Sequence, residues 1–267
     1  MSKFINLHGH TSVGSVFDGL GMPKESMEFC FENGMNAAAI TDHGSMAAVS
    51  YQILHAEEMK KQGKEFKPIF GVEAYFLPDI TKWRAEYEEE KANKTEKRVK
   101  KEAVEAEDVR VAVEDEGETR SVKSVANRRS HLVLLAQNNT GLSNLYKLVS
   151  KSNEPGNFYR YPRMDFDMLR AHHSGIIALS ACCGGVLAEC SWANKDKGPD
   201  VVHECMCKTI EDFQGIFGDR FYGELQWNYL DFQHEINQQV IRACKAMNVK
   251  MVSTSDYHYP RPELWRD

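Results

Sequence analysis

Two histidines separated by one glycine, His8-Gly9-His10, are the first residues of this chain that could do chemistry. They follow an apolar run, residues 4–7, that reads as a strand. Residues i and i+2 of a strand point to the same face, so both imidazoles can meet one cation. Imidazole suits zinc, iron and manganese alike. A lone His-x-His is common by chance, but here the pattern recurs. Asp18, Asp42-His43, Glu73, Cys182 and Asp256-Tyr257-His258 fall at or just beyond the ends of predicted strands, and Asp256-x-His258 repeats the same-face spacing. Two or three divalent cations held by such a set would lower the pKa of a bridging water toward neutrality. They would also neutralise phosphate oxygens and stabilise a leaving alkoxide, with no protein nucleophile needed.

The elements that must position these residues alternate along the chain. Helices are predicted at 23–33 (Pro23 in the first turn, Gly34 as cap), 47–62, 140–152 and 232–247. Strands are predicted at 36–41, 67–77, 132–136, 175–179, 221–226 and 250–253, the 175–179 strand running into Ser180-Ala181-Cys182-Cys183. Strand-then-helix order implies parallel strands with crossover helices, an α/β barrel or open sheet. In such folds the loops after the strands' C-terminal ends converge on one face, which makes strand-end ligands distant in sequence neighbours in space. Residues 79–130 differ. They mix Glu, Lys, Arg and Ala, contain no His or Cys, and read as a charged surface insertion with a solvated helix at 83–106 and a polar turn at 115–120.

Bulk properties narrow the function classes. The 267 residues, 42% hydrophobic and 27% charged, suit one large globular domain. No apolar run approaches the roughly 20 residues that span a bilayer, and no secretory leader is evident, so a cytoplasmic protein is expected. Seven cysteines in that setting are expected as free thiols. A net charge of −6 argues against a long nucleic-acid footprint and restricts any such contact to a short, local one.

His8-Gly9-His10, followed by Asp18-Gly19 and Ile40-Thr41-Asp42-His43-Gly44, resembles the opening of the polymerase and histidinol phosphatase (PHP) family. Gly71-Val72-Glu73, His131-Leu132-Val133-Leu134-Leu135-Ala136-Gln137-Asn138, Leu179-Ser180-Ala181-Cys182 and Asp256-Tyr257-His258-Tyr259 extend the likeness. Within the family the chain looks most like the PHP domain at the N-terminus of bacterial replicative DNA polymerase III alpha subunits. Tyr161-Pro162-Arg163-Met164-Asp165 and the cysteine at position 182 support that subgroup.

The resemblance implies a single PHP domain over residues 1–267, a distorted seven-stranded β/α barrel with the charged insertion at about 79–130. It implies nine metal ligands: His8, His10, Asp18, His43, Glu73, His131, Cys182, Asp256 and His258. Two or three ions of zinc, manganese or iron would sit among them, and His8, His10, Glu73, Asp256 and His258 would act catalytically through those ions. His131 begins a predicted strand rather than ending one, so the resemblance alone places it. Arg163, with Arg160 nearby, reads either as a bidentate phosphate clamp or as a structural arginine. Trp227-Asn228-Tyr229 reads as a base-stacking element or as packing.

The function implied is a metal-dependent phosphoesterase, a 3′–5′ exonuclease that proofreads single-stranded or mismatched DNA ends for the rest of a replicative polymerase. Two other readings stay open. One is a structural metal-binding scaffold of the replicase without catalysis; the other is a small-molecule phosphatase of the histidinol phosphatase kind.

Overall fold

The apolar runs pair into a single curled sheet, seen in a computed structural model that describes residues 4–105 and 124–266. The strands are β1 (Ala37–Ile40), β2 (Lys67–Phe76), β3 (Ser130–Ala136), β4 (Phe158–Tyr159), β5 (Tyr161–Met164), β6 (Ile176–Leu179), β7 (Phe221–Gln226) and β8 (Met251–Thr254). Their order is β4-β5-β2-β3-β6-β7-β8, with β1 also beside β2. Around them lie α1 (Pro23–Glu32), α2 (Ala48–Lys61), α3 (Ile80–Glu105), α4 (Asn139–Ser152), α5 (Phe166–His172), α6 (Ala188–Ala193), α7 (Pro199–Phe217) and α8 (Asp231–Ala246). Among the described residues no helix is long and apolar enough to cross a membrane. The predicted polar turn at 115–120 lies outside the described residues.

The predicted first strand, residues 4–7, is reduced to isolated bridges, Asn6 with Ala38 and Gly9 with Tyr257. Asn6 interrupts it: its side chain donates to the carbonyl of His8 and accepts from the amide of Ser255. The segment nevertheless fills the space between β1 and the end of β8. Ala39 donates to Asn6 O, Thr41 to Gly9 O and His10 to Tyr257 O, at 2.9, 2.8 and 2.8 Å. It thereby joins the two ends of the curled sheet and brings His8 and His10 to its mouth.

Not every strand is parallel, contrary to the strand-then-helix reading. β3 runs antiparallel to both β2 and β6. The cause is the insertion, which leaves from the C-terminal end of β2 and returns to that same end, so the next strand must run the other way. The first turns of α3 are packed rather than solvated. Ile80 and Trp83 are buried with Leu77, and the Trp83 indole donates to Val125 O at 2.7 Å.

Period-two alternation divides the core and aims the polar residues. On β3, Leu132 and Leu134 join the large cluster under the helices, while Val133 and Leu135 pack inside the sheet with Ala39 and Leu179. On β2, Val72, Ala74 and Phe76 belong to the helix-facing cluster. Glu73, between Val72 and Ala74, therefore looks inward, as does His131, two residues before Val133. The sequence reading of seven free thiols fails at Cys190 and Cys205, which are paired as a disulfide between α6 and α7 at a Cα separation of 5.7 Å. Their positions on two packed helices are invisible in the spacing.

Candidate metal centre

Glu73 is the hub. It is buried at the inward face of β2, and its carboxylate lies 2.6 Å from His43 Nδ1, 3.0 Å from His131 Nδ1, 3.2 Å from His8 Nε2 and 3.6 Å from His10 Nε2. Cys182 Sγ stands 3.8 Å from the same carboxylate and 3.5 Å from His131 Nδ1. Asp256 lies 3.3 and 3.1 Å from the Nε2 atoms of His8 and His10, and 3.8 Å from His258 Nδ1. Asp18 completes the rim, 3.2 Å from His43 Nε2 and 3.8 Å from His258 Nε2. The fold thus gathers every residue of the expected ligand set at one mouth.

Two local devices make this possible. The reversed direction of β3 puts its first residues level with the last residues of β2, His131 opposite Tyr75, so a strand start reaches the face where the other strands end. Between His8 and His10, a Cβ on Gly9 would fall 2.1 Å from the Tyr257 ring, so only glycine allows the two chain segments to meet. The same-face spacing of Asp256 and His258 is not that of a strand, however. β8 ends at Thr254, and Asp256 has a left-handed backbone, φ 52°, so a turn brings both side chains to the centre.

The donor set fits divalent cations. Among the described residues, three groups have ligand atoms that all lie within 4.8 Å of one another: His10, His43 and His258; His8, His10 and Asp256; and His43, Glu73 and His131. His8 Nε2, His43 Nδ1 and Glu73 Oε2 are buried and make no hydrogen bond, although opposite charges face them at close range. Buried polar atoms left in this way are costly unless a partner of another kind satisfies them. Burial alone would lower His8, but Asp256, Glu224 and Glu73 outweigh it and hold the imidazole well above its ordinary value. Burial also acts on Glu73, yet His131 and His8 keep it well below the carboxylate range. The Cys182 thiol is held up by its hydrogen bond with Cys183, by burial and by Glu73 and Asp256. Loading a cation there must therefore displace protons.

A second layer, of which the sequence reading singled out only Asp42, orients the histidines. His8 Nδ1 lies 2.6 Å from Glu224 Oε1, both side chains fully buried. Glu224 also accepts from Thr254 Oγ1 and Gln226 Nε2. A carboxylate on Nδ1 fixes the tautomer that presents Nε2 to the centre. His10 Nδ1 meets Ser15 Oγ at 2.9 Å, and Ser15 Oγ bonds Asp42 Oδ1 at 3.0 Å. One signal for Glu224 was available: an acid in the middle of a strand followed two residues later by another polar side chain. We expect Glu224→Gln to weaken metal binding by about 10- to 100-fold with the fold retained. Titrating chelated protein with Zn²⁺ or Mn²⁺ checks this, and unchanged affinity would refute the role.

The arginines divide. Arg163 is fully buried. Its guanidinium donates to the carbonyls of Ala126, Arg128, Tyr159 and Tyr161 and stacks 4.1 Å over the Trp83 ring. Burial and the nearby charge of Arg129 pull it down to about 10, still a cation at neutral pH. The phosphate-clamp reading of Arg163 is therefore corrected: Nε, Nη1 and Nη2 all donate to backbone carbonyls and the side chain is sealed from solvent, so no phosphate reaches it. Arg160 is exposed, with φ 59° and a 3.5 Å contact to Asn127 Oδ1. Trp227 bonds Ser253 Oγ at 3.2 Å and packs 6.3 Å from His234, toward α8, while the Tyr229 side chain is fully exposed.

A family model described as the PHP domain matches residues 6–228. The DNA polymerase III subunit alpha of Aquifex aeolicus is 32% identical over 98% of this chain, a stretch that is 19% of the relative's length. That of Borreliella burgdorferi is 31% identical over 98% of this chain and 18% of its own length. The chain thus spans less than a fifth of either relative. A solved structure from Bifidobacterium adolescentis, described as a metal-dependent phosphoesterase, superposes with a TM-score of 0.50 at 11% identity, covering 97% of this chain and 89% of that one. It shares the curled α/β fold.

Proposed function

The chain belongs to the PHP domain family, and from that premise we propose that it is a metal-dependent phosphoesterase acting at the 3′ ends of DNA. One observation carries the reading: imidazole, carboxylate and thiol groups from far-apart stretches converge on the buried Glu73, with His8 Nε2, His43 Nδ1 and Glu73 Oε2 left without hydrogen bonds. His8, His10 and Asp256 would hold one cation, and His43, Glu73 and His131, with Cys182 beside them, another; His10, His43 and His258 offer a third group. When bound, such cations supply an activated water near neutral pH and positive charge for the phosphate oxygens.

The chain's own residues set the rest. His8 and Glu73 are sealed from solvent, whereas the side chains of Asp18 and His258 are 49% and 32% exposed, so the ester must approach from their side. Glu224 and the Ser15–Asp42 pair keep His8 and His10 from rotating, which holds the site's geometry ready before substrate arrives.

The relatives' identity as polymerase alpha subunits supports DNA as the substrate and the remainder of a replicative polymerase, in the cytoplasm, as the partner. The net charge of −6 supports a short contact at an end rather than a long tract. We expect metal-replete protein to release mononucleotides from single-stranded and mismatched 3′ ends. Chelation should abolish the release and Mn²⁺ or Zn²⁺ restore it, followed on labelled oligonucleotides with a sugar phosphate as competitor. Metal-replete protein that leaves both DNA substrates intact defeats the exonuclease reading. Preference for the sugar phosphate moves the assignment to a small-molecule phosphatase.

A further inference from the structure

We propose that Arg129, held against Tyr161 and Tyr75 at the rim of the metal centre, is a subsite for a phosphate oxyanion of the substrate. This rests on the phosphoesterase reading of the same mouth. Arg129 precedes β3 and lies two residues before His131. Its guanidinium stacks 3.7 Å over the Tyr161 ring and 5.4 Å from the Tyr75 ring. The Tyr75 ring is stacked 5.9 Å from His43 and meets His131 edge-on at 5.4 Å. Gly44 packs the same platform against the loop after His43, since a Cβ there would meet Pro162 at 2.6 Å and Tyr75 at 3.5 Å. The cation is therefore one aromatic ring away from two of the gathered histidines.

Three features distinguish Arg129 from an ordinary rim residue. It is half-buried, yet among the described residues no carboxylate pairs with it. Its hydrogen bond is to a neutral acceptor, Nη1 to Asn127 O at 2.9 Å, and its Nε is buried with no partner. It is also held in place from behind. The buried Arg163 ties the carbonyls of Ala126 and Arg128 to those of Tyr159 and Tyr161, fixing the segment that carries Arg129 onto the hairpin that carries Tyr161. A desolvated cation without a counter-ion is costly, and a guanidinium fixed on aromatic faces with one terminal nitrogen uncommitted suits an oxyanion. The exit of the charged insertion thus delivers a phosphate-binding group, the role that Arg163 cannot fill.

The test uses the full chain loaded with Mn²⁺ and inorganic phosphate as the probe. Affinity is read by calorimetry, and metal content by elemental analysis, for wild type, Arg129→Ala and Arg129→Lys. Phosphate affinity should fall about tenfold or more in Arg129→Ala at unchanged metal content. Arg129→Lys should recover only part of it, because an ammonium keeps the charge without the planar fork. Wild-type phosphate affinity in a fully metallated Ala variant overturns the proposal. Should the Ala variant lose its metals or its fold, the Lys variant decides, and wild-type affinity there overturns it equally. Phosphate binding that depends on Arg129 in a protein that cleaves no phosphate ester sinks the phosphoesterase reading and leaves the subsite standing.

Discussion

If the proposed function holds, Glu73→Gln should strip the centre of divalent metal and lower phosphoester hydrolysis by on the order of a thousandfold or more. The size of the effect follows from how many groups share this one carboxylate: His8, His10, His43, His131 and Cys182 all lie within 3.8 Å of it. Glutamine keeps the shape but removes the negative charge and aims an NH₂ at imidazoles that face a cation only as lone-pair donors. Cations held close together would repel each other, and the Glu73 carboxylate, within 3.6 Å of histidines from both proposed groups, would offset that repulsion. Removing it should therefore empty more than one position, whereas Asp18→Asn, at the exposed rim, should affect one. Elemental analysis after dialysis, followed by hydrolysis assays over a range of added Mn²⁺, measures both consequences. A Glu73→Gln protein with full metal content and wild-type turnover removes Glu73 from the centre and takes the proposed mechanism with it.

The residues that gather around Glu73 were legible in the sequence because strand ends are legible. A short apolar run that leads into a histidine or carboxylate marks both the strand and its functional end: the predicted strands at 36–41 and 250–253, which lead into Asp42-His43 and Asp256, are β1 and β8 shifted by a residue at most. The histidine at 131 resisted the same logic for a topological reason. Strand direction is set by whether the preceding connection crosses the sheet, and residues 79–130 do not announce that they return to the end they left. The second layer resisted for an energetic one. Glu224 and Ser15 are buried polar residues whose meaning lies entirely in which nitrogen they touch, 216 and 5 residues away in the chain. Arg163 is the converse case. The sequence leaves it between a phosphate clamp and a structural arginine, and only the fold, by turning it onto four backbone carbonyls, decides for the second.

That same arginine gives the largest expected effect on stability. Arg163→Met keeps much of the side-chain volume and the stacking on Trp83, but it leaves the carbonyls of Ala126, Arg128, Tyr159 and Tyr161 without their donor. A carbonyl left unsatisfied away from water costs about 1–3 kcal/mol; these four are partly buried and water can recover some of them, so a net loss of about 3 kcal/mol is expected. In a chain of this size that lowers the melting temperature by roughly 6–12 °C. The damage should also be directional. The bonds that Arg163 makes join the exit of the insertion to the β4–β5 hairpin, so their loss frees Arg129 before it disturbs Glu73, which is held by β2 and its neighbours. Arg163→Met at a temperature where it is still folded should keep its metals and lose phosphate affinity, like Arg129→Ala. Arg163→Met that melts with the wild type, or that loses metals while keeping phosphate affinity, would show that the bracket does not work in this direction.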